Sequence, residues 1–189
     1  MLTIGCDVDG VVADLHTPWL FRYNRDYNDD LKASDIMAWG VHEFVKPECG
    51  KKIYEYIEDK DLYDVVFPTS NEALNTILKI KSLGHRVVYL TTSTLGSSGA
   101  KFKWLKRWGF LEDMKDYIEV TDKNLIKADI LIDDRLETTE NWYKEGNFPI
   151  LFKQPWNKKT IRPYPHTNNW DEIYNTIVAL DILDDGLPQ

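Results

Sequence analysis

The chain has 189 residues, enough for one domain with a small insertion, and its 23 basic against 31 acidic residues leave a net charge of −8. With no long basic run, that balance argues against a dedicated nucleic-acid binder, whose footprint is a basic patch, although a metal and a few local cations can still build a site for a small anion. Cys6 and Cys49 form no metal or redox spacing and read as free thiols; no apolar run approaches membrane-spanning length and the amino terminus lacks a signal pattern, so a soluble, cytoplasmic protein is expected.

The first apolar run, Leu2–Cys6, stops abruptly at Asp7-Val8-Asp9-Gly10. A buried strand there delivers two carboxylates to its carboxyl end, where open α/β sheets place their ligands. Core packing has no use for two acids at that point, because a buried carboxylate is costly unless paired or bound to a metal. A polar turn is the plain alternative, Asp and Gly being ordinary turn residues. Leu15–Thr69 then interrupts the pattern. It reads as helical over Pro18–Tyr27 and Gly50–Asp59, offers no convincing strand, and carries Trp19, Phe21, Tyr23, Tyr27, Trp39 and Phe44. Placed directly after the first strand, it is expected to lie above the carboxyl edge of the sheet as a lid over Asp7 and Asp9, with Asp14 opening its first helix.

From Asn71 onward helices and short β-branched runs alternate. Helices are predicted over Asn71–Leu83, Ala100–Trp108, Glu137–Glu145 and Trp170–Leu183, the first three stopped by Gly84, Gly109 and Gly146. Strands are predicted over Arg86–Leu90, Tyr117–Val120, Asp129–Ile132 and Pro149–Phe152. This alternation indicates an α/β fold with a parallel sheet covered on both faces. Residues 1–14 and 70–189 are expected to form its core, residues 15–69 a helical cap, and Asp184–Gln189 a loose tail.

Four strand ends carry candidate chemistry: Asp7-x-Asp9, Thr92-Ser93, Lys123, and Asp133-Asp134. Each has a dull reading alone, as a helix cap, a turn or a solvated lysine. On adjacent parallel strands they become one site, with two acidic pairs for a divalent cation and a hydroxyl and an ammonium for a phosphate. Oxygen ligands without His or Cys favour Mg²⁺ over zinc or copper.

These ordered motifs resemble the haloacid dehalogenase-like hydrolases, the aspartate-nucleophile phosphatases. More narrowly, the chain resembles the 5′(3′)-deoxyribonucleotidases, through Asp7-Val8-Asp9-Gly10-Val11-Val12-Ala13-Asp14, Thr92-Ser93, Lys101-Phe102-Lys103-Trp104, and Asp122-Lys123 leading into Ala128-Asp129-Ile130-Leu131-Ile132-Asp133-Asp134-Arg135. It departs from the family pattern at Thr94, where a proline is common, and at Thr121, where a basic residue is common.

The resemblance implies a Rossmann-like core and Mg²⁺-dependent hydrolysis of nucleoside monophosphates through an aspartyl-phosphate. Asp7 would be the nucleophile and Asp9 the general acid and base. Thr92, Ser93 and Lys123 would bind phosphate. Asp7, the Asp9 carbonyl and Asp134 would hold the metal, and Asp133 would fix a metal-bound water or Lys123; the residues alone leave the choice between Asp133 and Asp134 open. Trp39 and Phe44 are the candidates for a nucleobase pocket, with Tyr63 and Phe67 behind them. No membrane or polymeric nucleic-acid partner is expected, and a homodimer is compatible with the sequence. Other substrates stay open: a sugar phosphate, a nucleic-acid 3′-phosphate, or a nucleotide bound without turnover.

Overall fold

The computed structural model describes residues 1–185, with side chains through Leu183. Its centre is a six-stranded parallel sheet in the order β3-β2-β1-β4-β5-β6. The strands are β1 (Thr3–Cys6), β2 (Arg86–Thr91), β3 (Tyr117–Glu119), β4 (Ile130–Asp133), β5 (Phe148–Phe152) and the short β6 (His166–Thr167). Five match the sequence expectation to within about a residue at each end, a shift that boundary definitions alone produce. β6 was not anticipated, because a two-residue strand carries no periodic signal.

Alternation along the strands explains why the sheet is covered on both sides. Val87 and Tyr89 of β2, with Ile130 and Ile132 of β4, enter one large core. Their neighbours Val88, Leu90 and Leu131 enter a second, smaller one closed by Trp142. The helices that supply these covers are α3 (Asn71–Ser82), α4 (Ala100–Arg107), α5 (Leu136–Lys144) and α6 (Trp170–Asp185). Of the expected tail, Asp184 and Asp185 continue α6, and the rest lies outside the described residues. No helix among the described residues is long and apolar enough to cross a membrane.

Between β1 and α3 the chain forms α1 (His16–Tyr27), a succession of 3₁₀ turns and the single-turn α2 (Glu55–Glu58). Asp14 accepts from the Thr17 amide at 3.3 Å at the start of α1, as expected of a helix-opening acid. The helix expected over Gly50–Asp59 is instead a 3₁₀ turn, Gly50–Tyr54, followed by α2. Its β-branched and aromatic residues Ile53, Tyr54, Tyr56 and Ile57 are weak helix formers. Asp59 then ends it by accepting from the Asp61 amide at 2.9 Å and opening the next 3₁₀ turn.

The two ends of this insertion run side by side. Asp14 N donates to Phe67 O at 2.9 Å, Thr69 N to Val12 O at 2.9 Å, and Thr69 Oγ1 to Val11 O at 2.6 Å, with Ala13 and Pro68 bridged antiparallel.

Candidate active site

The strand order reverses at β1, whose neighbours are β2 and β4. That switch point is where open α/β sheets leave a crevice beyond the carboxyl ends of their strands. β1 delivers Asp7, whose amide continues the ladder by donating to Ile132 O at 2.9 Å. β4 ends in Asp133 and passes directly to Asp134. Lys123 comes from the 3₁₀ turn Lys123–Leu125 after β3, a turn opened by Asp122, which accepts from the Asn124 amide at 3.1 Å. Carboxylate oxygens of Asp7, Asp133 and Asp134 all lie within 4.8 Å of one another, and all three residues are buried.

Lys123 divides this acidic group unequally. Its ammonium donates to Asp7 Oδ1 and to Asp133 Oδ2, each at 2.6 Å. Asp133 Oδ1 accepts from the Arg135 amide at 2.8 Å, so both its oxygens are committed. Asp134 is left over: among the described residues its buried Oδ1 has no hydrogen-bond partner. Burial, then the Asp7 and Asp133 charges, push its pKa well above the usual carboxylate range. Burial likewise raises Asp7 to about 7, against the pull of Lys123. Lys123 itself is held above its ordinary value because Asp133 and Asp7 outweigh the effect of burial. Three carboxylates facing one ammonium form a site short of positive charge, and Asp134 is where the deficit falls.

Gly10 makes room for this arrangement. Its φ is +78°, and a Cβ there would lie 2.1 Å from Asp134 Oδ2. The loop after β5 fixes the surroundings: Gln154 Nε2 donates to Gly10 O at 2.5 Å, and buried Asn157 donates to Asp134 O at 2.7 Å. Neither residue was singled out from the sequence.

Above the acids opens a cavity of about 500 Å³. Asp9, Thr92, Lys123 and Asp134 line it from the sheet side, and His16, Trp19, Trp39 and Tyr54 from the insertion. Trp156, from the loop after β5, completes the wall; it stacks on His16 at 4.2 Å and meets Trp39 edge-on at 6.4 Å. The Arg135 guanidinium lies 5.2 Å from the Trp39 ring centre. Burial lowers the His16 pKa to about 4, so the imidazole is neutral in this stack.

The expected site residues are thus mostly, not wholly, together. Asp7, Asp9, Thr92, Lys123, Asp133, Asp134 and Trp39 share the cavity. Thr121 lines it too, while Thr94 lies outside it and exchanges hydrogen bonds with Ser97. Ser93 lies outside, its hydroxyl buried beside Tyr117 and Glu119. Phe44 also lies outside, packed half-buried against the core. Tyr63 is buried and donates to Asp9 Oδ1 rather than lying behind the aromatic wall. Phe67 is 65 % exposed and faces a separate groove beside Phe21.

Residues 1–182 match the family model described as 5′ nucleotidase, deoxy (Pyrimidine), cytosolic type C protein. The chain belongs to this family. It is 33 % identical over 173 residues to a 5′(3′)-deoxyribonucleotidase of Clostridium acetobutylicum, covering 90 % of this chain and 91 % of the relative. A 5′(3′)-deoxyribonucleotidase of Bacillus subtilis is 31 % identical over 171 residues, with 90 % and 95 % covered. The fold is that of the haloacid dehalogenase-like hydrolases. A hydrolase of that superfamily from Deinococcus radiodurans superposes with a TM-score of 0.63 at 10 % identity, over 94 % of this chain and 95 % of the other. Family membership makes the protein a phosphoric monoester hydrolase.

Proposed function

We propose that the protein is a Mg²⁺-dependent phosphatase that hydrolyses deoxynucleoside monophosphates to nucleoside and phosphate, with Asp7 as nucleophile. The observation that carries this reading is the unequal sharing of Lys123, which engages Asp7 and Asp133 and leaves Asp134 with a buried, unpartnered oxygen. An all-oxygen donor set short of positive charge fits a hard divalent cation. The Asp7 carboxylate, the Asp9 carbonyl and Asp134 would hold Mg²⁺, which when bound neutralises charge on the phosphoryl group. Asp133, with both oxygens committed, supports Lys123 instead.

Asp7 attacks phosphorus in line and forms an aspartyl-phosphate, splitting one displacement into two easier ones. Lys123 favours the ionised form of the attacking carboxylate against the effect of burial and, with Thr92 and the backbone around Ser93, receives the non-bridging oxygens. Asp9 gives a proton to the departing sugar oxygen and then takes one from the water that hydrolyses the intermediate. Residues 1–14 and 70–189 act as the catalytic core and residues 15–69 as the cap. Trp39 is the cap residue best placed to stack on a base, and Phe44, outside the cavity, packs against the core instead. The aromatic wall and the names of the two bacterial relatives support a nucleotide over a sugar phosphate, and two buried free thiols suit a reducing cytoplasm.

The test is phosphate release from deoxy- and ribonucleoside 5′- and 3′-monophosphates, before and after chelation. Activity should vanish with EDTA, return with Mg²⁺, and be absent in Asp7→Asn. Full turnover after exhaustive chelation would refute the metal assignment.

A further inference from the structure

Lys101 is buried, belongs to no part of the site described so far, and reaches Asp9. It projects from the first turn of α4. Its ammonium faces Asp9 Oδ2 at 2.6 Å and Thr91 Oγ1 at 3.1 Å, and donates to the carbonyl of Thr92. An ammonium has three protons and no lone pair; here it donates to Thr91 and Thr92 while its charge faces Asp9 Oδ2. The other carboxylate oxygen, Asp9 Oδ1, accepts from the Tyr63 hydroxyl.

Tyr63 is itself tied to α4. Lys101, Trp104 and Arg107 follow one another at three-residue intervals, which places them on one side of the helix. Trp104 Nε1 donates to Val66 O at 3.0 Å and Arg107 to Tyr63 O at 2.6 Å. One helical face therefore holds both Asp9 and the segment whose Tyr63 hydrogen-bonds it.

The two partners of Asp9 differ in what they permit. Lys101 can only donate, so its charge beside Oδ2 favours that oxygen as the proton-free one of the pair. The Tyr63 hydroxyl can turn and accept, so Oδ1 can be protonated without breaking the cluster. We infer that Lys101 is a positioning residue acting through Asp9: it pins Oδ2 and reserves Oδ1 for the proton that Asp9 exchanges with substrate and water. This rests on the acid–base role proposed above for Asp9. In the first half-reaction the bond from phosphorus to the sugar oxygen breaks as the Asp7–phosphorus bond forms, and the Oδ1 proton goes to the departing oxygen. In the second, water adds to phosphorus as the Asp7–phosphorus bond breaks, and Oδ1 takes the proton of that water.

The experiment compares kcat/KM for a deoxynucleoside 5′-monophosphate and for p-nitrophenyl phosphate. This parameter covers the steps through formation of the phosphoenzyme, and only the sugar oxygen needs a proton to leave. Lys101→Met should lower kcat/KM for the nucleotide about ten- to a hundredfold while changing p-nitrophenyl phosphate by less than about threefold. In an Asp9→Asn background the same substitution should change the nucleotide rate by less than about twofold, because its route of action is already gone. Equal losses on both substrates, or a full additional loss in Asp9→Asn, would overturn the inference and make Lys101 a support of the Thr92 loop. Should Lys101→Met fail to fold, Lys101→Gln, which keeps a polar group of similar length, is read by the same ratio. Failure of the reading beneath it looks different: Asp9→Asn would then show no substrate selectivity of its own.

Discussion

Replacing Gly10 by alanine tests whether the position of Asp134 matters. Two effects add. A side chain at φ +78° costs about 1–2 kcal/mol of left-handed strain, which in a protein of this size lowers the melting temperature by about 2–8 °C. The new Cβ would also stand 2.1 Å from Asp134 Oδ2, where ordinary contact begins at 3.4 Å. The carboxylate must therefore retreat by roughly an ångström or more, and a misplacement of that size costs about a hundredfold in rate. Asn157 holds the Asp134 carbonyl and Trp156 stands 3.3 Å away from the same Cβ, so backbone sliding offers little relief. Gly146→Ala is the control: its φ is +84°, but nothing lies within 4 Å of its Cβ. Melting curves should fall in both variants, further in Gly10→Ala where the clash adds to the strain, while kcat/KM falls about a hundredfold and the Mg²⁺ needed for half-activation rises only in Gly10→Ala. A Gly10→Ala enzyme that melts lower yet keeps wild-type activity and Mg²⁺ dependence would refute the placement of the metal on Asp134.

Trp39→Ala should raise KM for a deoxynucleoside monophosphate and leave p-nitrophenyl phosphate nearly unchanged, with kcat/KM for the nucleotide down about ten- to a hundredfold for the loss of one stacked base. The ring is 52 % exposed, so melting should barely move; a large stability loss with intact nucleotide kinetics would make it packing instead. For His16, the fold depresses the pKa from 6.5 to about 4. As pH falls below 6.5 the unfolded chain takes up the proton first, so stability is full above that value and declines towards pH 4 by up to about 3 kcal/mol. His16→Phe keeps a ring on Trp156 and should flatten that decline in urea titrations; an unchanged pH slope would show that His16 is not the group responsible.

The parts of the site legible in the sequence are those with a local signature. Asp7 and Asp133 each end an apolar run, so a strand reading places them at the sheet edge without further knowledge. Lys101, Tyr63, Trp156 and Asn157 carry no such mark. Lys101 sits in a helix with three other basic residues, and only the packing of α4 separates it from Lys103, Lys106 and Arg107. Tyr63 and Phe67 look alike as aromatics of one segment, yet the Arg107 contact to Tyr63 and the Trp104 contact to Val66 turn one inward and leave the other outside. Trp156 could have been suspected, since Pro155-Trp156-Asn157 follows the fifth strand at its carboxyl end, the edge where ligands gather. Ser93 follows Thr92 directly, but only Thr92 of the two meets the cavity, while the Ser93 hydroxyl lies beside Tyr117 and Glu119.

The paired backbone at Val11–Asp14 and Phe67–Thr69 has a consequence for assembly. β1 and β2 are neighbours in the sheet, yet roughly 80 residues of chain separate them, and bringing such distant partners together is the entropic obstacle that slows folding of parallel sheets. Once Ala13 and Pro68 are bridged, the path from β1 to β2 shortens to roughly 25 residues, lowering the closure cost by about 1 kcal/mol. The strap makes the inserted segment a short circuit: with its ends paired, β1 and β2 are joined by little more than a turn and one helix.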